Sequence, residues 1–106
     1  MSRILAFNVV GQQIKKDPEC DFDNIVSGTS GYLYARFTFS REWAGTVKVA
    51  EFRQYVTDDC YPVKIVNGIC EIPKEVLSGR YWHVTVVGKH GELKLTTGKE
   101  KVMQEV

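Results

Sequence analysis

The chain has 106 residues, with 14 Lys and Arg against 13 Asp and Glu, so its formal net charge is +1. A chain of this length builds one hydrophobic core and is too short for two. The balanced charge gives no overall attraction for nucleic acid or for an anionic membrane surface, so we expect neither as a partner. The apolar amino-terminal stretch is too short for a signal peptide, and no run approaches the roughly 20 apolar residues of a membrane span. We therefore expect a protein made in a cytoplasm.

Three cysteines, Cys20, Cys60 and Cys70, form no C-x-x-C pair. Their odd number and their spacing fit neither a disulfide framework nor a zinc site, which predicts reduced thiols. Cys60 and Cys70 flank a predicted hairpin, however. A bridge between them therefore stays open if the protein belongs to an extracellular particle.

The first third of the chain predicts a hairpin followed by a loop. Residues 3–10 are apolar and β-prone, and Gly11-Gln12 turns them toward a short return strand, which predicts a hairpin at the edge of a sheet. Residues 16–31 are rich in Asp, Ser, Gly and Pro, which predicts a long loop. Phe22 and the pair Ile25-Val26 are its candidates for anchors on the core.

The clearest strand covers residues 32–39. Its odd-numbered residues are Leu, Ala, Phe and Phe, whereas its even-numbered residues are Tyr, Tyr, Arg and Thr, which is typical of a strand with one buried side. A connection over residues 40–45 follows, and residues 46–53 resume as a strand. There Val47 and Val49 share one parity and Phe52 has the other, which predicts a bulge near Ala50-Glu51.

Turn residues divide the second half. Asn67-Gly68 between two β-prone runs predicts a tight hairpin, because both central residues of a type I′ turn need positive φ. Pro62 in the first arm favours an edge strand. Pro73 begins the only helical candidate, one or two turns through Leu77 that end at Gly79.

The last third returns to alternation. Residues 80–88 place Trp82, Val84 and Val86 on one side and Tyr81, His83, Thr85 and Val87 on the other. Residues 88–91 predict a turn, Leu93 and Leu95 share a parity in the next strand, and Gly98 separates it from a final segment. The fold prediction is all-β: a single-domain antiparallel β-sandwich, Ig-like, of about seven short strands with one short helical turn between Pro73 and Leu77.

No group of residues spells out a reaction. His83 and His90 lack the spaced partners of a zinc-protease motif. Cys60 or Cys70 could pair with His83 as a nucleophile and its base, but neither thiol has a flanking motif that would activate it. The alternating acids Asp17, Glu19, Asp21 and Asp23 lack the Gly and Glu of a calcium loop, so a solvated acidic loop is favoured. We predict no catalytic, metal or cofactor site and no enzyme.

Aromatic side chains on the outward parity are the candidate contacts. Tyr32 and Tyr34 lie on that parity, and Tyr81 and His83 on a neighbouring strand could extend them into one stripe. Two interpretations stay open, since such residues form either ordinary cross-strand pairs or a surface for a protein or a sugar.

An ordered series of motifs carries a family resemblance. It runs from Tyr-Leu-x-Ala-x-Phe-x-Phe-x-x-x-Trp-x-Gly, through Thr-x-Lys-x-Ala-x-Phe and Cys-x-Ile-Pro-x-Glu-Val-Leu, to a Val-rich strand ending in Gly with Leu-Thr-Thr beyond. The series resembles the small β-sandwich module of tailed phages of Gram-positive hosts, found in baseplate upper proteins and head-fibre proteins. Its signature positions here are Phe37, Phe39, Trp43, Gly45, Phe52 and Pro73. Ala44 and Lys74 depart from the family pattern, which has an acidic and an aromatic residue at these places.

The resemblance implies a virion protein that docks onto the capsid, as a decoration or a head-fibre base, in multiple symmetric copies and with other virion proteins as partners. We expect the edge strand of residues 3–10 to add to a neighbour's sheet through Leu5 and Phe7. A tail or baseplate adaptor and a host-directed module that binds wall glycan or a host protein are the alternatives.

Overall fold

A computed structural model describes residues 2–106, which form two β-sheets packed face to face. The nine strands in this part of the chain are β1 (Arg3–Val10), β2 (Gln13–Lys16), β3 (Leu33–Phe39), β4 (Val47–Gln54), β5 (Cys60–Lys64), β6 (Ile69–Glu71), β7 (Tyr81–His90), β8 (Leu93–Thr96) and β9 (Glu100–Met103). Two short 3₁₀ helices, Arg41–Trp43 and Lys74–Ser78, connect them. The predicted all-β sandwich is confirmed, and so is the helical turn that begins after Pro73.

The four-stranded sheet has the order β2-β1-β3-β6, and β1 and β3 pair in parallel. The strand β1 therefore lies inside the sheet, and the edge position of the amino-terminal hairpin belongs to β2. The edge-strand prediction for residues 3–10 is wrong. Leu5 and Phe7 are fully buried, so they belong to the core and are not contacts for a partner. A two-residue turn fixes only the β1–β2 pairing, and the pairing with β3 depends on a distant segment.

The second sheet has the order β5-β4-β7-β8, and β9 pairs with the other end of β7 beside β8. Alternate residues of both sheets meet in one core, in which Phe37 and Phe7 stack with ring centroids 5.4 Å apart. Phe52 and Trp82 make the corresponding edge-to-face contact at 5.7 Å on the opposite sheet. The side chains of β3 and β7 that were predicted to face inward are the ones that lie in the core.

The predicted bulge in β4 is wrong. Eight consecutive residues of β4 pair in register with β7 and leave no extra residue. Ala50 and Phe52 are completely buried, whereas Val47 is 56% exposed. Both parities of this strand carry apolar side chains, and the valines are the ones that face outward.

Asn67 and Gly68 form the predicted tight turn, with φ angles of 54° and 78°. Val66 and Ile69 exchange backbone hydrogen bonds of 3.0 and 3.1 Å on either side of it. Beyond this turn the two arms separate, because β5 joins the five-stranded sheet and β6 joins the four-stranded sheet. Cys60 and Cys70 consequently lie on different sheets, and both are free thiols.

The carboxyl-terminal segment and Arg3 hold the long loop of residues 17–32 against the body. Glu105 forms backbone hydrogen bonds of 2.7 and 2.8 Å with Ile25 and Ser27. The guanidinium of Arg3 donates to backbone oxygens of the loop, including that of Asp21 at 3.0 Å. The loop is therefore tied at several points, and Ile25 enters the core at 2% exposure. Within residues 2–106 no helix has the length and apolar character to span a bilayer.

Candidate protein-binding face

The outward side of the five-stranded sheet is the most distinctive surface of the molecule, and we call it the basic face. The register and the alternating burial of its strands place these residues on it: Cys60, Pro62, Lys64, Val47, Val49, Glu51, Arg53, Tyr81, His83, Thr85, Val87, Lys89, Lys94, Thr96, Lys101 and Met103. Five of these are Lys or Arg and one is Glu, so the face has a formal charge of +4. Because the whole chain carries +1, the remainder carries −3.

Valines form the centre of one end of the basic face. Val49 lies directly opposite Val87 on the neighbouring strand, and Val47 lies next to them along β4. With Glu51, Lys89 and Gly91 these side chains line a shallow groove of about 310 Å³. An apolar centre with charged side chains around it is the usual anatomy of a protein-binding surface.

Aromatic rings occupy the other end of the face. The ring centroid of Tyr55 is 3.9 Å from that of Tyr81, and Nζ of Lys101 is 4.0 Å from the same centroid. Tyr55 follows β4 and Lys101 belongs to β9, the strands on either side of β7, so the two groups cover Tyr81 from opposite sides. Desolvation and the neighbouring hydroxyl of Tyr55 raise the pKa of Tyr81 to about 12. A sugar ring therefore has no open face of Tyr81 on which to stack.

His83 lies in a row of cationic side chains. Across the sheet, Cys60 pairs with Arg53, Arg53 pairs with His83, and His83 pairs with Lys101. Partial burial lowers the pKa of His83, and the positive charges of Lys99 and Lys101 lower it further. The strand that carries Arg53 separates His83 from Cys60, so the two do not form a nucleophile and its base.

The predicted aromatic stripe does not exist as one surface. Tyr34 lies on the outward side of the four-stranded sheet and Tyr32 just before it, whereas Tyr81 and His83 lie on the basic face. The outer sides of a sandwich point away from each other, so no single partner surface contacts all four residues in one plane. Alternation showed that these residues face outward, but the sheet to which each strand belongs is set by distant pairing.

Two sheet edges, those of β5 and β2, are poor sites for adding a strand. Backbone pairing turns residues 60, 62 and 64 of β5 toward the open edge, and Pro62 there has no N–H to donate. At the opposite side of the molecule, the edge strand β2 donates its Lys16 N–H to a carboxylate oxygen of Glu100 at 2.9 Å. Pro62 is an edge residue as predicted. These features favour docking through a face over docking through an edge.

The signature residues of the resemblance are internal or occupy turns. Phe37, Trp43 and Phe52 are buried, Phe39 is partly buried, Gly45 has a φ of 77°, and Pro73 precedes the second 3₁₀ helix. The indole N–H of Trp43 donates to the backbone oxygen of Gly11 at 2.8 Å. These residues build the scaffold and do not form the outer surface.

A second groove, of about 420 Å³, lies where the two sheets part beside the Asn67-Gly68 turn. Phe39 and Ile65 contribute apolar atoms to it. Lys48 crosses it, with Nζ 5.2 Å from the ring centroid of Phe39 and 3.0 Å from the backbone oxygen of Thr46. This lysine occupies part of the space, and the groove contains no nucleophile or acid–base pair.

The acidic loop and the cysteines offer no built metal or nucleophile site in the described part of the chain. Among residues 2–106 no three His, Cys, Asp or Glu side chains converge as metal ligands would. Asp17 and Asp21 accept hydrogen bonds from backbone N–H groups two residues further on, at 2.9 and 2.7 Å. Burial raises the pKa of Cys70 to about 12 and also raises the pKa of Cys60, so neither thiol is activated.

Sequence reasoning missed the valine centre of the basic face. A detectable signal was present, because Val47 and Val49 stand at the parity opposite to Phe52, and Val87 at the parity opposite to Trp82. Comparison with protein-family models, with curated proteins and with solved structures found no match.

Proposed function

We propose that this chain is a non-enzymatic docking protein of a tailed-phage particle, bound in multiple copies to the capsid as a decoration or a head-fibre base. The family resemblance suggests the setting. The basic face is the single observation that supports a docking role, because it combines a valine centre with a charged rim on a rigid sheet.

The position of the resemblance residues supports assigning the contact to the outer surface. Trp43, Phe37 and Phe52 make the core and its turns, so they explain a shared scaffold. Docking specificity then depends on outward residues such as Val49 and Val87. Pro62 at the β5 edge and the Lys16–Glu100 hydrogen bond at the β2 edge agree with this assignment, since both disfavour strand addition.

The test measures whether the protein is present in purified particles of the phage that encodes it. Quantitative mass spectrometry compares its molar amount with that of the major capsid protein. A ratio near unity or a simple fraction is expected for a capsid-bound protein. Absence from the particles would overturn the proposal.

A matched pair of variants tests the face itself. Val49→Asp places a charge in the valine centre, whereas Thr38→Asp places the same charge on the outward side of the opposite sheet. We expect folded Val49→Asp protein to be lost from particles and Thr38→Asp protein to remain. Equal incorporation of both variants would exclude the basic face as the docking surface.

The alternatives give different results in the same measurement. A tail or baseplate adaptor would be present in a few copies per particle. A host-directed module would be absent from the particle and would bind cells or a host protein. Wall-glycan binding through Tyr81 is less favoured, because Tyr55 and Lys101 cover both faces of its ring.

A further inference from the structure

We propose that copies of this chain associate head to tail, with the basic face of one copy receiving the acidic segment of residues 17–23 of the next. The inference rests on the proposed docking role for its biological setting. It names the partner of the basic face as a second copy of the same chain already in place on the particle, so that a copy docks by adding to its neighbour.

The basic face contains positive charges that are placed against one another. Lys89 and Lys94 are directly opposite across the β7–β8 hairpin, and Arg53 and Lys101 lie on either side of the neutral His83 in one row. Like charges opposite each other on a sheet destabilise it. An anionic occupant would relieve this repulsion, which is why the face fits an acidic partner.

A nucleic acid is a poorer fit to the same surface. One end of the face has an apolar centre, with Val49 opposite Val87, and Glu51 lies beside them. A phosphate backbone offers no apolar group for these valines, and Glu51 would repel it. A protein segment that combines carboxylates with apolar atoms satisfies both parts of the face.

The chain itself contains such a segment. Residues 17–23, Asp-Pro-Glu-Cys-Asp-Phe-Asp, carry four carboxylates and no Lys or Arg. Pro18, Glu19, Asp21 and Asp23 are exposed. Arg3 orders the segment through backbone oxygens, including that of Asp23, and so does not draw on its carboxylates. An ordered segment loses less conformational entropy on binding than a flexible one.

The two surfaces are different parts of one chain, so the contact between copies is heterologous. Each copy then has one donor surface and one acceptor surface, and repetition gives a closed ring or an open row. Such an arrangement suits a protein that covers a particle in many copies.

Sedimentation velocity of the purified protein over a concentration series tests the contact. We expect reversible self-association that weakens by roughly tenfold between about 50 mM and about 500 mM salt, because screening shortens the range of charge interactions. Lys89→Gln with Lys94→Gln neutralises the acceptor, and Glu19→Gln with Asp23→Asn neutralises the donor. Each double variant is expected to be monomeric.

Mixing the two double variants gives the decisive result. Each retains one working surface, so an equimolar mixture should form a dimer that grows no further. Lys15→Gln with Arg36→Gln, on the outward side of the opposite sheet, is the matched control and should associate as the original protein does. Circular dichroism establishes that all variants are folded.

Three outcomes would overturn the inference: an original protein that stays monomeric at low salt, association that survives neutralisation of residues 19 and 23, or a mixture that remains monomeric. If the protein is monomeric and shifts a short oligonucleotide in a gel, the partner of the basic face is nucleic acid and the acidic segment is excluded. Head-to-tail association in a protein absent from particles would retain this inference and reject the proposed function. A particle-bound protein that is monomeric in solution would do the reverse.

Discussion

Gly88 and Trp43 pack so closely that the space between them admits no side chain at position 88. A Cβ atom built on Gly88 would lie 2.8 Å from both Cε3 and Cζ3 of Trp43 and 2.9 Å from Oγ1 of Thr46. The residue lies inside β7, where the sequence predicts a turn, and the strand continues to His90 before the chain turns at Gly91. Gly88 therefore serves the packing of the indole ring.

Gly88→Ala is expected to destabilise the fold by about 1–3 kcal/mol, because the added methyl group forces the rigid indole to move within a filled core. Chemical denaturation gives the change in unfolding free energy. Gly98→Ala is the control, since no atom lies within 4 Å of a Cβ at that position. The control should change stability by no more than about 0.5 kcal/mol. Similar effects of the two substitutions would refute the packing role of Gly88.

Gln104→Ala is expected to cost about 2–3 kcal/mol, because it leaves the buried indole N–H of Trp82 without a partner. The side-chain oxygen of Gln104 accepts from the indole N–H of Trp82 at 3.1 Å, and its nitrogen donates to the backbone oxygens of Leu77 and Gly79 at 3.2 and 2.7 Å. Gln12→Ala is the control, because its amide makes one exposed bond of 3.3 Å to Thr96. Urea unfolding of both variants measures the difference, and an equal loss of stability would contradict the buried network.

Cys70 should resist alkylation in the native protein at pH 8. Its pKa of about 12 leaves about one thiol in ten thousand ionised at that pH, and the side chain is buried. Mass spectrometry after iodoacetamide treatment should find Cys70 unmodified before unfolding and modified afterwards. The same spectra should show three free thiols without a reductant. A Cys60–Cys70 disulfide in the native protein would contradict their placement on separate sheets.

Stability should decrease as the pH falls through the titration of His83. Burial and the charges of Lys99 and Lys101 hold its pKa below the ordinary value of 6.5, so the unfolded chain binds the proton more readily than the folded one. The loss therefore begins near pH 6.5 and is complete below the folded pKa. Urea unfolding at several pH values should show that His83→Gln removes this part of the dependence.

An NMR titration checks the cause. Lys101→Gln should move the pKa of His83 upward, toward its ordinary value, whereas Lys15→Gln on the other sheet should leave it unchanged. A titration curve that is the same in all three proteins would show that the lysine charge does not reach the imidazole.

Local sequence rules predicted those elements whose signals are contained within a few residues. Alternation placed the core side of β3 and β7, Asn67-Gly68 gave a tight turn with two positive φ angles, and Pro73 began the 3₁₀ helix. In each case the determinant is local, because side-chain parity, φ or a missing N–H decides the conformation.

The remaining features depend on partners far away in the chain. β4 has apolar residues on both parities, and only the position of the opposing sheet makes Phe52 internal and Val49 external. The parallel pairing of β1 with β3 converts a presumed edge strand into an interior one and buries Leu5. The same non-local pairing places the residues of the predicted aromatic stripe on two different sheets. It also assembles the basic face from five strands, which is why the sequence alone did not predict that face.

The anchoring of the long loop by Glu105 bears on how the protein is made. Hydrogen bonds between Glu105 and both Ile25 and Ser27, and from Gln104 to Leu77 and Gly79, join the segment that follows the last strand to regions synthesised much earlier. A nascent chain lacks these bonds until residues 104 and 105 have left the ribosomal exit tunnel. Folds with many distant pairings also form slowly. We therefore expect the two sheets to pack against each other only after the last strand has been translated. Until then the apolar sides of the earlier strands remain exposed.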